Sequence, residues 1–171
     1  MRGFYGILDL DIITAPFIEG AAGAFADAGV PTIQLRAPAL DTRALVELCL
    51  RVRPIATRQG ARFLVSGRPD VAAVVEADGV HLEATDVPAQ MARDLLGASA
   101  LIGMAAPHET AASAAAQAGI CDFISFGPIY PDIGLERLAF VCKIVPLPVV
   151  AMGGIDETTG RAVLDAGATA V

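Results

Sequence analysis

Apolar residues fall in short runs along the whole chain, at Phe4–Leu10, Pro31–Arg36, Arg62–Ser66, Gly79–Glu83, Ala100–Ala105, Asp122–Ile129 and Pro148–Gly153. Runs of this length, mostly apolar, predict strands buried on both faces. Between them Ala, Leu and Arg recur with helical spacing, most clearly over Thr42–Gln59 and Glu109–Ala118. Several of these segments end on a glycine just before the next strand, at Gly29, Gly60, Gly97, Gly119 and Gly167. A left-handed residue closes a helix at that place. The phrase Ala26-Asp27-Ala28-Gly29-Val30 returns nearly unchanged as Leu164-Asp165-Ala166-Gly167-Ala168.

Strands alternating with helices at this spacing predict parallel βα units. Seven units, with an eighth strand beginning at Thr169, predict a (βα)8 TIM barrel rather than a doubly wound open sheet. No linker, charge block or low-complexity tract divides the chain, so a single domain is expected over 1–171. The eighth strand is incomplete at Val171, and unpaired sheet edges invite aggregation. The natural protein is therefore expected to continue past Val171.

Residues two apart on a strand share a face. Ile33 and Leu35 belong against the helices, so Gln34 and Arg36 point into the barrel or its mouth. The same alternation turns His81 and Glu83 inward against Val80 and Leu82, and Ser125 and Gly127 inward against Ile124 and Phe126. On the first strand Tyr5 and Asp9 share a face with Ile7, so the pattern decides less. Polar inward residues near the C-terminal strand ends lie where barrels build their sites. A charge there is costly unless paired, which leaves two readings of Arg36: a structural ion pair, for instance with Glu83, or a cation that holds an anion. His81 is likewise either a satisfied core histidine or a ligand contact. After the seventh strand, Gly153-Gly154 leads to Asp156-Glu157-Thr158-Thr159, an expected helix start, and such a turn can offer backbone N–H groups to a phosphate.

With 54% hydrophobic and 18% charged residues the chain can bury a sizeable core. Its net charge of −7 argues against a nucleic-acid or anionic-membrane partner. Lys143 is the only lysine, so a cationic site must rely on arginine, backbone or metal. Cys49, Cys121 and Cys142 lack metal-type spacing and read as thiols of a reducing compartment. No signal peptide and no membrane-length apolar stretch is visible, so a cytoplasmic location is expected. The alanine-rich, weakly charged helical exterior makes a homo-oligomer an expectation.

Ile33-Gln34-Leu35-Arg36, Ala77-Asp78-Gly79-Val80-His81-Leu82, Asp86, Ile102-Gly103, Phe126-Gly127-Pro128-Ile129-Tyr130-Pro131 and Pro148-Val149-Val150-Ala151-Met152-Gly153-Gly154-Ile155 follow one another in a specific order. In that order the chain resembles the thiamine phosphate synthases, from Phe4-Tyr5 to Ala166-Gly167-Ala168. The resemblance implies a TIM barrel that joins a hydroxymethylpyrimidine diphosphate to a thiazole phosphate, uses Mg²⁺ and releases pyrophosphate. It implies that Gln34 and Arg36 contact the pyrimidine and pyrophosphate and that His81 lies near the pyrimidine pocket. It also implies that Asp86 binds Mg²⁺ and that Gly153 and Gly154 hold the thiazole phosphate. A sister branch that tautomerises the thiazole carries a histidine where this chain has Pro128, which fits the synthase branch.

The chain departs from the family pattern at several positions. Pro38 stands where a lysine is usual, and Ser66-Gly67-Arg68 replaces Asn-Asp-Arg, so Gly67 replaces a metal-binding aspartate. Ala105 replaces a serine. Pro131-Asp132-Ile133-Gly134 runs straight into Leu135-Glu136 without the usual Thr-x-Thr-Lys loop, through deletion or through a segment absent from this sequence. Glu83, where a glycine is usual, is a candidate to help Asp86 hold the metal. The departures keep a second reading open: a lapsed barrel that binds a thiamine precursor or another phosphorylated ligand without turnover.

Overall fold

The computed structural model describes residues 2–171. Seven strands, β1 (Tyr5–Asp9), β2 (Thr32–Arg36), β3 (Arg62–Ser66), β4 (Gly79–Leu82), β5 (Leu101–Ala106), β6 (Phe123–Phe126) and β7 (Val149–Ala151), form one sheet in sequence order. Every neighbouring pair is parallel. The helices that return the chain are α1 (Ile18–Asp27), α2 (Thr42–Ala56), α3 (Pro69–Val74), α4 (Ala89–Leu96), α5 (Glu109–Ala118), α6 (Gly134–Ile144) and α7 (Gly160–Asp165). The expected eighth strand is present as a short bridge, in which Ala170 pairs in parallel with both Gly3 and Val150. Gly3 N–H donates to Thr169 O at 3.0 Å, Tyr5 N–H to Val171 O at 2.8 Å and Ala151 N–H to Ala170 O at 2.9 Å. The result is a (βα) barrel in which residues 169–171 pair with both the first and the seventh strand.

Most elements lie where the apolar pattern places them, and the differences have local causes. The run Asp122–Ile129 is strand only to Phe126, because Pro128 has no N–H to give a ladder. The helix from Thr42 stops at Ala56, two residues after Pro54. The helix expected near Asp156 begins only at Gly160. Asp156 Oδ1 instead accepts the N–H groups of Thr158 at 2.9 Å and Thr159 at 3.0 Å, holding a turn before the helix. All five helix-ending glycines have positive φ.

The core has two shells. Leu8, Ile33, Leu35, Phe63, Ile102 and Ile124 are fully buried between strands and helices. Inside the barrel Tyr5, Leu64, Phe123, Val150 and Ala170 form a second cluster. Phe123 fits there because β5 offers a glycine: a Cβ on Gly103 would lie 2.1 Å from the Phe123 ring. Burying such a ring stabilises the fold by about 2–3 kcal/mol. At the opposite end from the site, Asp122 accepts the Ile102 N–H at 2.8 Å and pairs with Arg93 at 2.7 Å. The three cysteines are unpaired, and burial pushes the Cys49 thiol up to about 12, out of the reactive range. Among the described residues no helix is long and apolar enough to cross a membrane.

Candidate functional site

Polar side chains are buried in the barrel interior, and strand alternation places three members of the site there. Gln34, His81 and Ser125 are buried on the inner face, and Tyr5 joins them from β1. They form two hydrogen-bonded pairs. The Tyr5 hydroxyl donates to Gln34 Oε1 at 2.6 Å, and His81 Nε2 lies 2.8 Å from Ser125 Oγ. The Phe123 ring underlies both pairs, its centroid 5.8 Å from that of Tyr5 and 6.0 Å from that of His81. Burial pushes the His81 imidazole down to about 4, with the Asp86 charge acting in the opposite sense. His81 is therefore neutral near pH 7, and its Nδ1, although fully buried, has no partner among the described residues. A core histidine with both nitrogens satisfied is not what the barrel contains.

Arg36 ends β2 at the mouth, half-exposed, and its charge is already answered. Its Nη1 donates to both Asp9 oxygens at 3.0 Å and to Asp11 Oδ2 at 2.6 Å. The hydrogen bond to Asp11, opposed by burial and aided by Asp9, raises the guanidinium pKa. The ion pair considered between Arg36 and Glu83 does not form. Glu83 lies one residue beyond the end of β4 at Leu82 and is exposed at the mouth. Its backbone N–H donates to Asp86 Oδ2 at 2.8 Å, fixing the Asp86 carboxylate in the turn after β4.

Arg36, Glu83 and Asp86 nonetheless line one cavity of about 310 Å³, together with Pro38, Gly67 and Arg68. Gly67 has φ +68°, and a Cβ there would lie 3.0 Å from Asp86 Oδ2. The Asp86 carboxylate thus fills the space that a side chain at position 67 would need. Arg68 is a wall residue that sequence reasoning passed over. It makes a two-pronged contact with Asp70, at 2.8 and 2.6 Å, and reaches Thr42 Oγ1 at 2.8 Å. Its signal was the arginine retained in Ser66-Gly67-Arg68. Two guanidinium groups and one anchored carboxylate on one cavity suit a ligand that carries phosphate oxygens with a bound cation. Among the described residues no three His, Cys, Asp or Glu side chains cluster as a ready metal cage.

The glycines beyond β6 and β7 form a third group. Gly127, Gly153 and Gly154 allow two loops to touch: added Cβ atoms would lie 2.3 Å from Met152 O, 2.5 Å from Pro128 Cβ and 2.5 Å from Tyr130 O. Tyr130 N–H donates to Gly153 O at 3.1 Å. The N–H groups of Gly153, Gly154 and Ile155 have no partner among the described residues. Gly153 and Gly154 both have positive φ. Consecutive free N–H groups in such a turn form a concavity for an anion. They owe nothing to a helix end, since α7 starts six residues after Gly154. A cavity of about 510 Å³ lies against this turn, bordered by Tyr5, Ile7 and Met152.

Comparison with known proteins gives a consistent picture. The family model described as thiamine monophosphate synthase matches residues 4–171. The chain is 36% identical over 173 residues to the thiamine-phosphate synthase of Pelotomaculum thermopropionicum, covering 91% of this chain and 79% of that protein. It is 38% identical over 165 residues to the thiamine-phosphate synthase of Moorella thermoacetica, covering 91% and 78%. Among solved structures, the thiamine phosphate pyrophosphorylase from Pyrococcus furiosus superposes with a TM-score of 0.89 at 29% identity, covering 99% of this chain and 83% of that one.

Proposed function

This chain belongs to the thiamine monophosphate synthase family, and from that premise we propose that it joins a hydroxymethylpyrimidine diphosphate to a thiazole phosphate and releases pyrophosphate. In this reading the thiazole nitrogen forms a C–N bond to the pyrimidine methylene carbon as the C–O bond to the diphosphate breaks. The electron pair leaves with pyrophosphate, so the site must hold growing negative charge on the leaving group. The observation that carries the reading is the cavity on which Arg36, Arg68 and Asp86 meet. Gln34 lies two residues before Arg36 on the same strand and would hold the pyrimidine one layer deeper, beside His81 and Ser125. The free N–H groups at Gly153 and Gly154 would take the thiazole phosphate, with Gly127 letting the β6 loop close over them.

Magnesium fits this site as a cation shared with the diphosphate. One carboxylate plus ligand phosphates is an ordinary Mg²⁺ arrangement, and Asp86 Oδ1 makes no protein hydrogen bond while Oδ2 is anchored by the Glu83 N–H. Glu83, exposed on the rim, would add a second oxygen donor. When bound, the metal supplies charge neutralisation at the departing pyrophosphate. The arginines share that task, since Pro38 brings no cation to the wall.

The test is pyrophosphate release by the protein given both precursors, with and without Mg²⁺. Mg²⁺-dependent release with thiamine phosphate formed is the expected result. Binding of either precursor without release would instead favour a barrel kept for recognition.

A further inference from the structure

The Tyr5–Gln34 pair determines what kind of atom the barrel interior can recognise. Gln34 is 2% exposed, and its carboxamide oxygen is taken by the Tyr5 hydroxyl at 2.6 Å. Its amide nitrogen has no partner among the described residues. A carboxamide can be turned end for end, so the question is which end the protein holds. Tyr5 is 4% exposed, and Gln34 is the one group its hydroxyl bonds to. If the amide were reversed, the –NH2 would donate to the phenol oxygen and the buried phenolic proton would lose its acceptor. An unmade hydrogen bond of that kind costs about 1–3 kcal/mol. Burial also raises the Tyr5 pKa, so the phenol keeps its proton and stays a donor.

We infer that Tyr5 is a positioning residue that locks Gln34 as a hydrogen-bond donor, so that the pocket selects a heterocycle presenting a ring-nitrogen acceptor. The inference rests on the proposed pyrimidine substrate, whose ring nitrogens are such acceptors. The specificity follows from polarity: an analogue with C–H in place of that nitrogen would cover the Gln34 amide N–H groups without giving them an acceptor. The neighbouring pair does not offer the same restriction. His81 Nε2 and Ser125 Oγ can each donate or accept, whereas the Gln34 nitrogen can only donate.

The test is a double-mutant cycle on the full chain, read by calorimetric binding of the pyrimidine diphosphate alone and by KM for each precursor. Tyr5→Phe removes the hydroxyl and keeps the ring against Phe123. It is expected to weaken pyrimidine diphosphate binding about tenfold and to leave KM for the thiazole phosphate unchanged. In a Gln34→Ala background the same substitution is expected to cost nothing further. Equal losses in both backgrounds would mean that the hydroxyl acts independently of Gln34, and the assignment falls. Binding by Tyr5→Phe as tight as by the parent also overturns it.

A second measurement needs no ligand. A protected Tyr5 hydroxyl proton in the NMR spectrum is expected to vanish in Gln34→Ala, and its persistence there would overturn the lock. A parent protein that binds the pyrimidine diphosphate but releases no pyrophosphate sinks the proposed reaction and leaves the cycle to decide this assignment. One that binds no pyrimidine diphosphate overturns both the reaction and the ligand named here.

Discussion

His81 and Ser125, 44 residues apart in sequence, meet at 2.8 Å inside the barrel and leave the other imidazole nitrogen without a partner. The pair comes from β4 and β6, and the strand between them makes room. β5 contributes Gly103 and Ala105 to the inner face, so nothing large separates the imidazole from the hydroxyl.

Stability is expected to fall on mild acidification because of His81. An unfolded histidine takes its proton near 6.5, whereas burial holds the folded one off until about 4. Between those values the unfolded chain binds more protons, so stability drops as pH falls from 6.5 to 4 and is complete above 6.5. Over the whole window the loss amounts to about 3 kcal/mol. Urea midpoints at pH 7.5 and 5.0 check this, with His81→Gln expected to flatten the difference. A midpoint that moves equally in both proteins removes His81 as its cause.

Ser125→Ala removes the one hydrogen bond that the His81 imidazole makes among the described residues. A buried imidazole with neither nitrogen satisfied is expected to cost about 1–3 kcal/mol. Thermal unfolding of the variant reads this directly, and an unchanged Tm would mean that water or a shifted side chain replaces the hydroxyl.

Arg36→Met is expected to raise KM for the pyrimidine diphosphate at least about tenfold, with little loss of stability. The Arg36 side chain is 39% exposed, and half-exposed ion pairs contribute about 0–1 kcal/mol. Steady-state kinetics together with a melting curve separates the two effects. A large fall in Tm with unchanged KM would make Arg36 a structural residue.

Gly154→Ala places a methyl group 2.5 Å from Tyr130 O at φ +66°. Backbone strain in that region costs roughly 1–2 kcal/mol, and the loop contact must also open. A lower Tm and a higher KM for the thiazole phosphate, with KM for the pyrimidine diphosphate unchanged, are the expected outcome. An equal rise in both KM values would place the turn's effect on the barrel as a whole.

Gly67→Ala tests the other loop. The added methyl would press on the Asp86 carboxylate at 3.0–3.1 Å, so the Mg²⁺ concentration for half-maximal rate is expected to rise about threefold or more. Titration of the variant with Mg²⁺ at saturating substrate measures it. An unmoved midpoint would detach Asp86 from the metal.

Periodicity reached the strands and three inner polar residues because alternation is a local property. It left Tyr5 undecided, since Ile7 shares its face and an apolar neighbour gives no sign of which side is inside. Alternation does not place Glu83, which lies one residue past the end of β4, where side-chain direction is no longer fixed by the pleat. The partners of Arg36 were out of reach for another reason. Asp9 and Asp11 approach it across 27 and 25 residues, and an ion pair between strands leaves no period in a sequence. The meeting of Gly67 and Asp86 was hidden too, because family comparison reads the missing aspartate and not the carboxylate that occupies its place. Gly153 and Gly154 were legible as an anion turn, but the helix expected behind them was drawn too early.

Every ladder in this sheet but one joins strands that are neighbours in sequence. The exception is the bridge from Ala170 back to Gly3, which joins the last segment to the first. Bringing distant ends of a chain together costs entropy that grows with the logarithm of the loop, so closing this seam costs more than pairing any two strands adjacent in sequence. Tyr5 stands on one bank and the Gly153–Gly154 turn follows from the other, both lining one cavity, so a ligand that touches both ties the two sides of the seam together.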